Sequence, residues 1–142
     1  MCIRDSYMTL ATDKLVPVSQ VDARGRARYT LQDGGAPVPL ITYTGGLAME
    51  RIVGDRLETT PYALTPFVRS DSLDAAHGAV AKGVGVAWLP WSMVAADCRR
   101  GALAALGGRS EEIAFEVRLY RPRARLTDLA EAAWEATANR KA

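Results

Sequence analysis

The sequence predicts an α/β domain with a mixed sheet, and three stretches predict it. From Asp71, apolar residues recur at Leu73, Ala76, Val80 and Ala81, the spacing of one helical face. Gly83 and Gly85 break that pattern before a β-type run, Val84–Leu89, which Pro90 stops. A second apolar run, Val38–Tyr43, passes through Thr44-Gly45-Gly46 into helical spacing at Leu47, Met49, Glu50, Ile52 and Val53. In the third, Ile113, Phe115, Val117 and Leu119 alternate on one face, as in a half-buried strand. Helix, glycine break and strand make half of an α/β crossover unit, and open α/β sheets bind ligands at the carboxyl ends of their strands. Leu89, Pro90 and Trp91 are thereby placed near a candidate site.

Composition narrows the class. The chain has 142 residues, 49% of them apolar, with 18 basic against 16 acidic side chains and a net charge of +2. That is one domain's worth of a soluble globular protein, with enough apolar surface for a continuous core. No apolar run approaches the roughly 20 residues that span a bilayer, and the N-terminus lacks the apolar core of a secretory signal, so the expectation is a cytoplasmic protein with no membrane partner. Cys2 and Cys98 make neither a disulfide framework nor a metal-type spacing, and no metal or cofactor is expected. The near-neutral balance also argues against direct nucleic-acid binding, which needs concentrated Lys and Arg.

Residues 1–6 fit no periodic pattern and resemble translated adapter read-through; they read as a non-native leader on an N-terminally truncated piece. Leu15–Ser19 alternates as a strand that Pro17 keeps short or at an edge. Asp22–Arg28 is a polar connection, Tyr29–Leu31 a brief extended segment, and Gln32–Pro37 a loop. After the second strand, Gly46–Leu57 is a helix, Thr59–Tyr62 a break and Ala63–Arg69 another strand. Ser70, Asp71 and Ser72 offer N-caps for the helix leading to Gly83, with Asp74 in its first turn. Gly83 falls where the helix end needs a left-handed residue. Trp91–Arg99 is a short helix ended by Gly101, Ala102–Leu106 a small strand and Gly107–Glu112 a loop. Thr127 caps a last helix whose apolar stripe is Leu129, Ala130, Ala133 and Trp134.

The chemistry is that of binding. Thr44-Gly45-Gly46 ends a strand and opens a helix, where free backbone N–H groups and the positive helix end face outward, an arrangement that suits an anion. His77, the sole histidine, lies on the apolar face of its helix and reads as a core or interface residue. Gly-x-Ser-x-Gly is absent, and Gly83-Val84-Gly85 lacks the further glycine and helix of a dinucleotide fingerprint. No catalytic set forms. Arg118, Arg121, Arg123 and Arg125 fit a solvated strand edge or salt bridges better than a phosphate site. Met49, Met93 and Cys98 are oxidisable, with Arg99 and Arg100 beside Cys98 as a hint of a lowered thiol pKa.

Lys82-Gly-Val-Gly-Val-Ala-Trp-Leu-Pro90, with Gly101-Ala-Leu103 after it, resembles the helix, Gly-x-Gly and strand of the effector-binding domain of LysR-type transcriptional regulators. Asp13–Ser19 is similar to the crossover strand that opens that domain's second lobe, and Pro39–Tyr43 to the strand before its effector-facing loop. The resemblance covers about Tyr7 to Ala138, and the Ala-Trp-Leu-Pro and Val-Arg-Leu-Tyr-Arg-Pro versions look like a branch that includes a hypochlorite-responsive regulator. It implies a periplasmic-binding-protein-like (type 2) fold of two α/β lobes with a small effector between them. Residues 7–122 would be the second lobe, and 123–142 a helix returning to a missing first lobe. Thr44, Gly45 and Gly46 would then contact the effector, with Tyr43 and Pro90 as cleft walls. The parent would be a homo-oligomer that meets DNA through a missing N-terminal winged helix-turn-helix. A fragment of a periplasmic-type solute-binding protein shares the lobe architecture and is the alternative.

Overall fold

The computed structural model describes residues 6–141. They form, in order, β1 (Ser6–Gln20), β2 (Val38–Tyr43), α1 (Ala48–Leu57), β3 (Leu64–Ser70), α2 (Leu73–Ala81), β4 (Ala87–Pro90), α3 (Trp91–Arg99), β5 (Leu103–Ala105), β6 (Ile113–Arg121) and α4 (Asp128–Lys141), with a 3-10 turn at Arg109–Glu111 before β6. Two compact units divide the chain, Lys14–Ala114 and a second made of Met1–Asp13 with Phe115–Ala142. Residues 1–5 of the expected leader lie outside the described residues, and Ser6 already belongs to β1.

The unit Lys14–Ala114 holds the core. The second half of β1 is its axis, antiparallel to β4 on one side, with Val16 opposite Leu89, and to β5 on the other, with Val18 opposite Ala105. Leu15 to Ser19 are all buried because both edges of the strand are occupied and both its faces covered. Parallel strands β2 and β3 form a separate pair, joined to the neighbourhood of β4 by a parallel bridge between Leu40 and Val86. The pairing of β2 with β3 shifts register at Leu40/Ile41, where Pro66 and Val68 are the partners. Phe67 is thereby left out of the ladder and stands 68% exposed. Both strands carry a proline that donates no ladder hydrogen bond, and β3 lies at the edge of its pair, where proline is tolerated.

Helices cover this sheet for local reasons. Ser72 caps α2 by accepting from the Ala75 N–H, and Gly83 at φ +78° turns the chain out of it, as its position requires. α2 buries Ala76 and Val80 and packs on β2, β3 and β4, while α3 buries Val94 and Ala95 against β4 and β5. Trp88, 1% exposed, is the largest fully buried side chain; its indole N–H donates to the Glu111 carbonyl at 2.9 Å, so its polar edge is satisfied. Tyr29–Leu31 forms no strand: Tyr29 donates its N–H to the Ser19 hydroxyl and its own hydroxyl to the Gly83 carbonyl, which holds the segment outside any ladder. The predicted run Val84–Leu89 keeps ladder geometry from Ala87, with Val86 contributing the bridge to Leu40.

The second unit is built differently. It contains the first half of β1, most of β6 and α4, and none of its described residues is buried. The Thr9 hydroxyl donates to Glu116 at 2.9 Å, the Tyr7 and Tyr120 rings lie 5.4 Å apart, and the Arg118 guanidinium sits 4.4 Å from the Tyr7 ring. Thr127 caps α4 by accepting from the Ala130 N–H at 3.3 Å, and Arg121 ties the helix to β6 through a two-pronged ion pair with Glu131. Of the expected stripe on α4, Leu129 is 82% exposed.

Candidate functional site

Three elements place the site in the larger unit. β2 ends at Tyr43 beside Ser70, the last residue of β3, and Thr44 donates its N–H to the Ser70 carbonyl, so both strands stop together. The chain turns at once, with the Leu47 N–H bonded to the Thr44 carbonyl, and α1 starts at Ala48. Leu47, in the N-cap position, offers no side-chain acceptor, so the first turn is left uncapped. Among the described residues the Gly45 and Gly46 amides have no hydrogen-bond acceptor. Neither glycine has a positive φ, and a Cβ at either would meet no atom within 4 Å. Nothing in the chain's own packing asks for glycine there, and the space in front of the turn is open.

Beside the turn lies a cavity of about 340 Å³ lined by Thr42, Tyr43, Gly45, Glu50, Val53, Gly54, Leu57, Pro66 and Arg69. A second, of about 360 Å³, is lined by Thr44, Val68, Arg69, Ser70, Asp71, Ala75 and Ala79. Arg69 borders both, placed there by its pairing with Thr42 across the β2–β3 ladder. Sequence reading missed Arg69 and saw Glu50 only as part of a helical pattern. The signal available was a charge at the carboxyl end of one apolar strand and another in the first turn after the neighbouring strand.

The two expected cleft walls are differently placed. Tyr43 lines the first cavity, but it is 4% exposed and donates its hydroxyl to the Trp88 carbonyl at 2.8 Å. Burial drives that phenol's pKa upward, so it stays a neutral donor that pins the end of β2 to β4. Pro90 is buried, pairs opposite Leu15 and occupies the N-cap position of α3. Of the five residues expected to meet an effector, Thr44, Gly45 and Gly46 form the open turn, whereas Pro90 lies within the core.

The remaining candidates scatter. Met49 and Met93 are half-buried, on α1 and α3. Cys98 does not have the lowered pKa its arginine neighbours hinted at: desolvation, then the Asp97 charge, push the thiol up. Arg100 is instead bonded to Asp97, whose other oxygen lies 2.7 Å from His77 Nε2. Arg100 first and His77 second hold the Asp97 carboxyl below its usual range, and the trio ties α2 to α3. Arg118, Arg121 and Arg125 are paired with Glu116, Glu131 and Asp128, the salt-bridged arrangement of a solvated edge. Among the described residues no group of three His, Cys, Asp or Glu side chains is placed to hold a metal ion, and no helix is long and apolar enough to cross a membrane.

Known proteins share this architecture. The chain is 26% identical over 129 residues to the HTH-type transcriptional regulator YjiE of Escherichia coli K12, a match that covers 90% of the chain and 42% of that relative. The full-length structure of HypT from Salmonella typhimurium, described as a hypochlorite-specific LysR-type transcriptional regulator, superposes with a TM-score of 0.85 at 26% identity, over 92% of this chain and 44% of that one. Vibrio fischeri DarR in complex with DNA gives a TM-score of 0.79 at 31% identity, over 94% of this chain and 44% of that one. The chain thus spans less than half the length of these three relatives. The LysR substrate binding domain matches residues 6–142. With nearly every residue inside that match, and an α/β lobe of that fold around an open strand-end turn, the chain belongs to the LysR substrate-binding-domain family.

Proposed function

We propose that this chain is the effector-sensing part of a longer, homo-oligomeric LysR-type regulator. In that parent a small molecule held at Thr44-Gly45-Gly46 changes the activity of a DNA-binding segment that precedes residue 7. The observation that carries the reading is the turn itself: two glycines that no backbone constraint requires, with amides lacking acceptors, at the open start of α1. Residues 7–122 supply one wall of the effector cleft in the parent, and 123–142 pack on the other lobe. A ligand acts there through its different affinity for the open and closed arrangements, a difference of about 1–3 kcal/mol in ordinary allosteric coupling.

Replacing Gly45 with Trp in the parent tests this. Effector-dependent transcription is expected to fall while DNA affinity survives; an unchanged response removes the turn from the sensor.

The likeness to HypT favours a second reading, in which oxidation of Met49 or Met93 substitutes for ligand binding. Met49, half-buried next to the site, is the better placed of the two. Limited hypochlorite treatment followed by peptide mass spectrometry is expected to find sulfoxide at Met49 before Met8. Equal oxidation at both would mark simple exposure.

A further inference from the structure

A negative side chain stands where an anionic effector would bind. Glu50 lies in the first turn of α1 and lines the 340 Å³ cavity beside Gly45. Its charge offsets the positive end of the helix and repels a bare carboxylate or phosphate. The same cavity has Arg69 in its wall, which repels a simple amine. Several other charged side chains near element ends are paired: Lys14 with Glu112, Arg100 with Asp97, Arg121 with Glu131, Arg125 with Asp128. The Glu50 carboxylate and the Arg69 guanidinium, both at the surface, have no hydrogen-bond or ion-pair partner among the described residues. Two unpaired, opposite charges on one small cavity are complementary to a molecule that carries both.

The lining sets its size. Val53, Leu57 and Pro66 give an apolar floor, and about 340 Å³ is at the low end of the ~300–1,000 Å³ usual for ligand sites. Gly54 is the telling residue. It lies inside α1, where glycine is a poorer choice than alanine, yet its φ is not positive and a Cβ there would meet nothing within 4 Å. The helix forgoes a better residue at a point where any side chain would enter open space beside the cavity.

We infer that this site takes a small zwitterion of the α-amino acid class, with Arg69 and the free Gly45 and Gly46 amides on the carboxylate, Glu50 on the ammonium group and the apolar floor under the side chain. The inference rests on Thr44–Gly46 being the effector contact and replaces an anionic effector with a zwitterionic one. Fork-shaped Arg69 suits a carboxylate, and Glu50 accepts from an ammonium group without a metal or cofactor.

The test is an NMR titration of the 142-residue chain with each common L-α-amino acid, alongside its N-acetyl and its amide form. At least one free amino acid is expected to shift the Gly45, Gly46 and Gly54 amides. Its N-acetyl and amide forms are expected to bind more weakly by about tenfold or more, the loss of one charge-assisted contact. Arg69→Gln and Glu50→Gln should each weaken binding similarly. Gly54→Leu should abolish it with an unfolding midpoint that holds or rises, which separates a blocked cavity from a damaged fold. Equal binding of the N-acetyl form would reveal an anion site and equal binding of the amide a cation site; either overturns the zwitterion. No binding by any amino acid, or undiminished binding to Gly54→Leu, also overturns it. The Gly45→Trp response in the parent is read independently, so these failures leave the sensing role of the turn standing.

Discussion

Gly83 and Gly85 are two residues apart and are held by different constraints. Gly83 has φ +78°, the left-handed region in which a Cβ is strained, and its added Cβ would also run into the end of the Gln20 side chain. That side chain can swing away. Gly85 has an ordinary φ, but a Cβ there would lie 2.6 Å from the Pro39 carbonyl oxygen, and that oxygen is the acceptor for Val86 N–H in the bridge joining β2 to the β4 region. Backbone cannot swing away without breaking the bridge. Gly83→Ala is therefore expected to destabilise by about 1–2 kcal/mol, and Gly85→Ala by about 1–3 kcal/mol, at the upper end if the bridge opens. Urea melts measure both through their midpoints, provided the slopes are equal. If Gly85→Ala leaves the midpoint unchanged, the bridge is not the constraint. The sequence showed that Gly83 is needed at the helix end, but the reason at Gly85 lies on a strand remote in the chain and is invisible locally.

Among elements, α4 is tied to β6 through the Arg121–Glu131 ion pair. Arg121 reaches Glu131 with both guanidinium nitrogens at 2.9 and 2.6 Å, Leu126 N–H donates to the same carboxylate, and the guanidinium lies 5.3 Å from the Trp134 ring. Arg121 chiefly, then the Leu126 amide, lower the Glu131 pKa to about 2 from 4.5. A carboxyl depressed on folding contributes stability above its unfolded pKa, and that contribution is lost as pH falls from about 4.5 through about 2. The Trp134 indole resonance should move across that window, and Glu131→Gln should show the acid-side position at neutral pH. A Trp134 signal flat down to pH 2 would mean the tie does not orient the helix. Element boundaries were legible where apolar runs were bounded by strong breakers: Val38–Tyr43 and Trp91–Arg99 agree end to end. β1 was seen only from Leu15, because Ser6–Lys14 lacks a buried face and so carries no alternation to read.

At the scale of the molecule, burial is uneven. Every buried residue described lies in Lys14–Ala114, while Tyr7, Leu10, Val117, Leu119, Tyr120 and Leu129 of the other unit are exposed by 38% or more. Backbone hydrogen bonds without an apolar cover open readily, so hydrogen exchange in the isolated chain should be slow at Leu15–Ser19 and Val86–Leu89 and fast at Tyr7–Ala11 and along α4. Matching protection in both units would show that the second is stable unaided. Unevenness also explains what the sequence concealed about the site. The Thr44–Gly46 turn announces itself through two glycines after an apolar strand, whereas Arg69 and Glu50 meet at one cavity only because β3 pairs in parallel with β2. β1 is translated long before its partners β4 and β5, which follow α2 and α3, so its apolar second half must wait unpaired while most of the larger unit is made. Pairings this distant fold slowly, and a waiting apolar strand recruits other chains. Pro17, at the middle of Leu15–Ser19, withholds an N–H from any such intruder while its carbonyl stays available to accept from Leu106 once that residue arrives, and so acts as a gatekeeper against aggregation of the nascent chain.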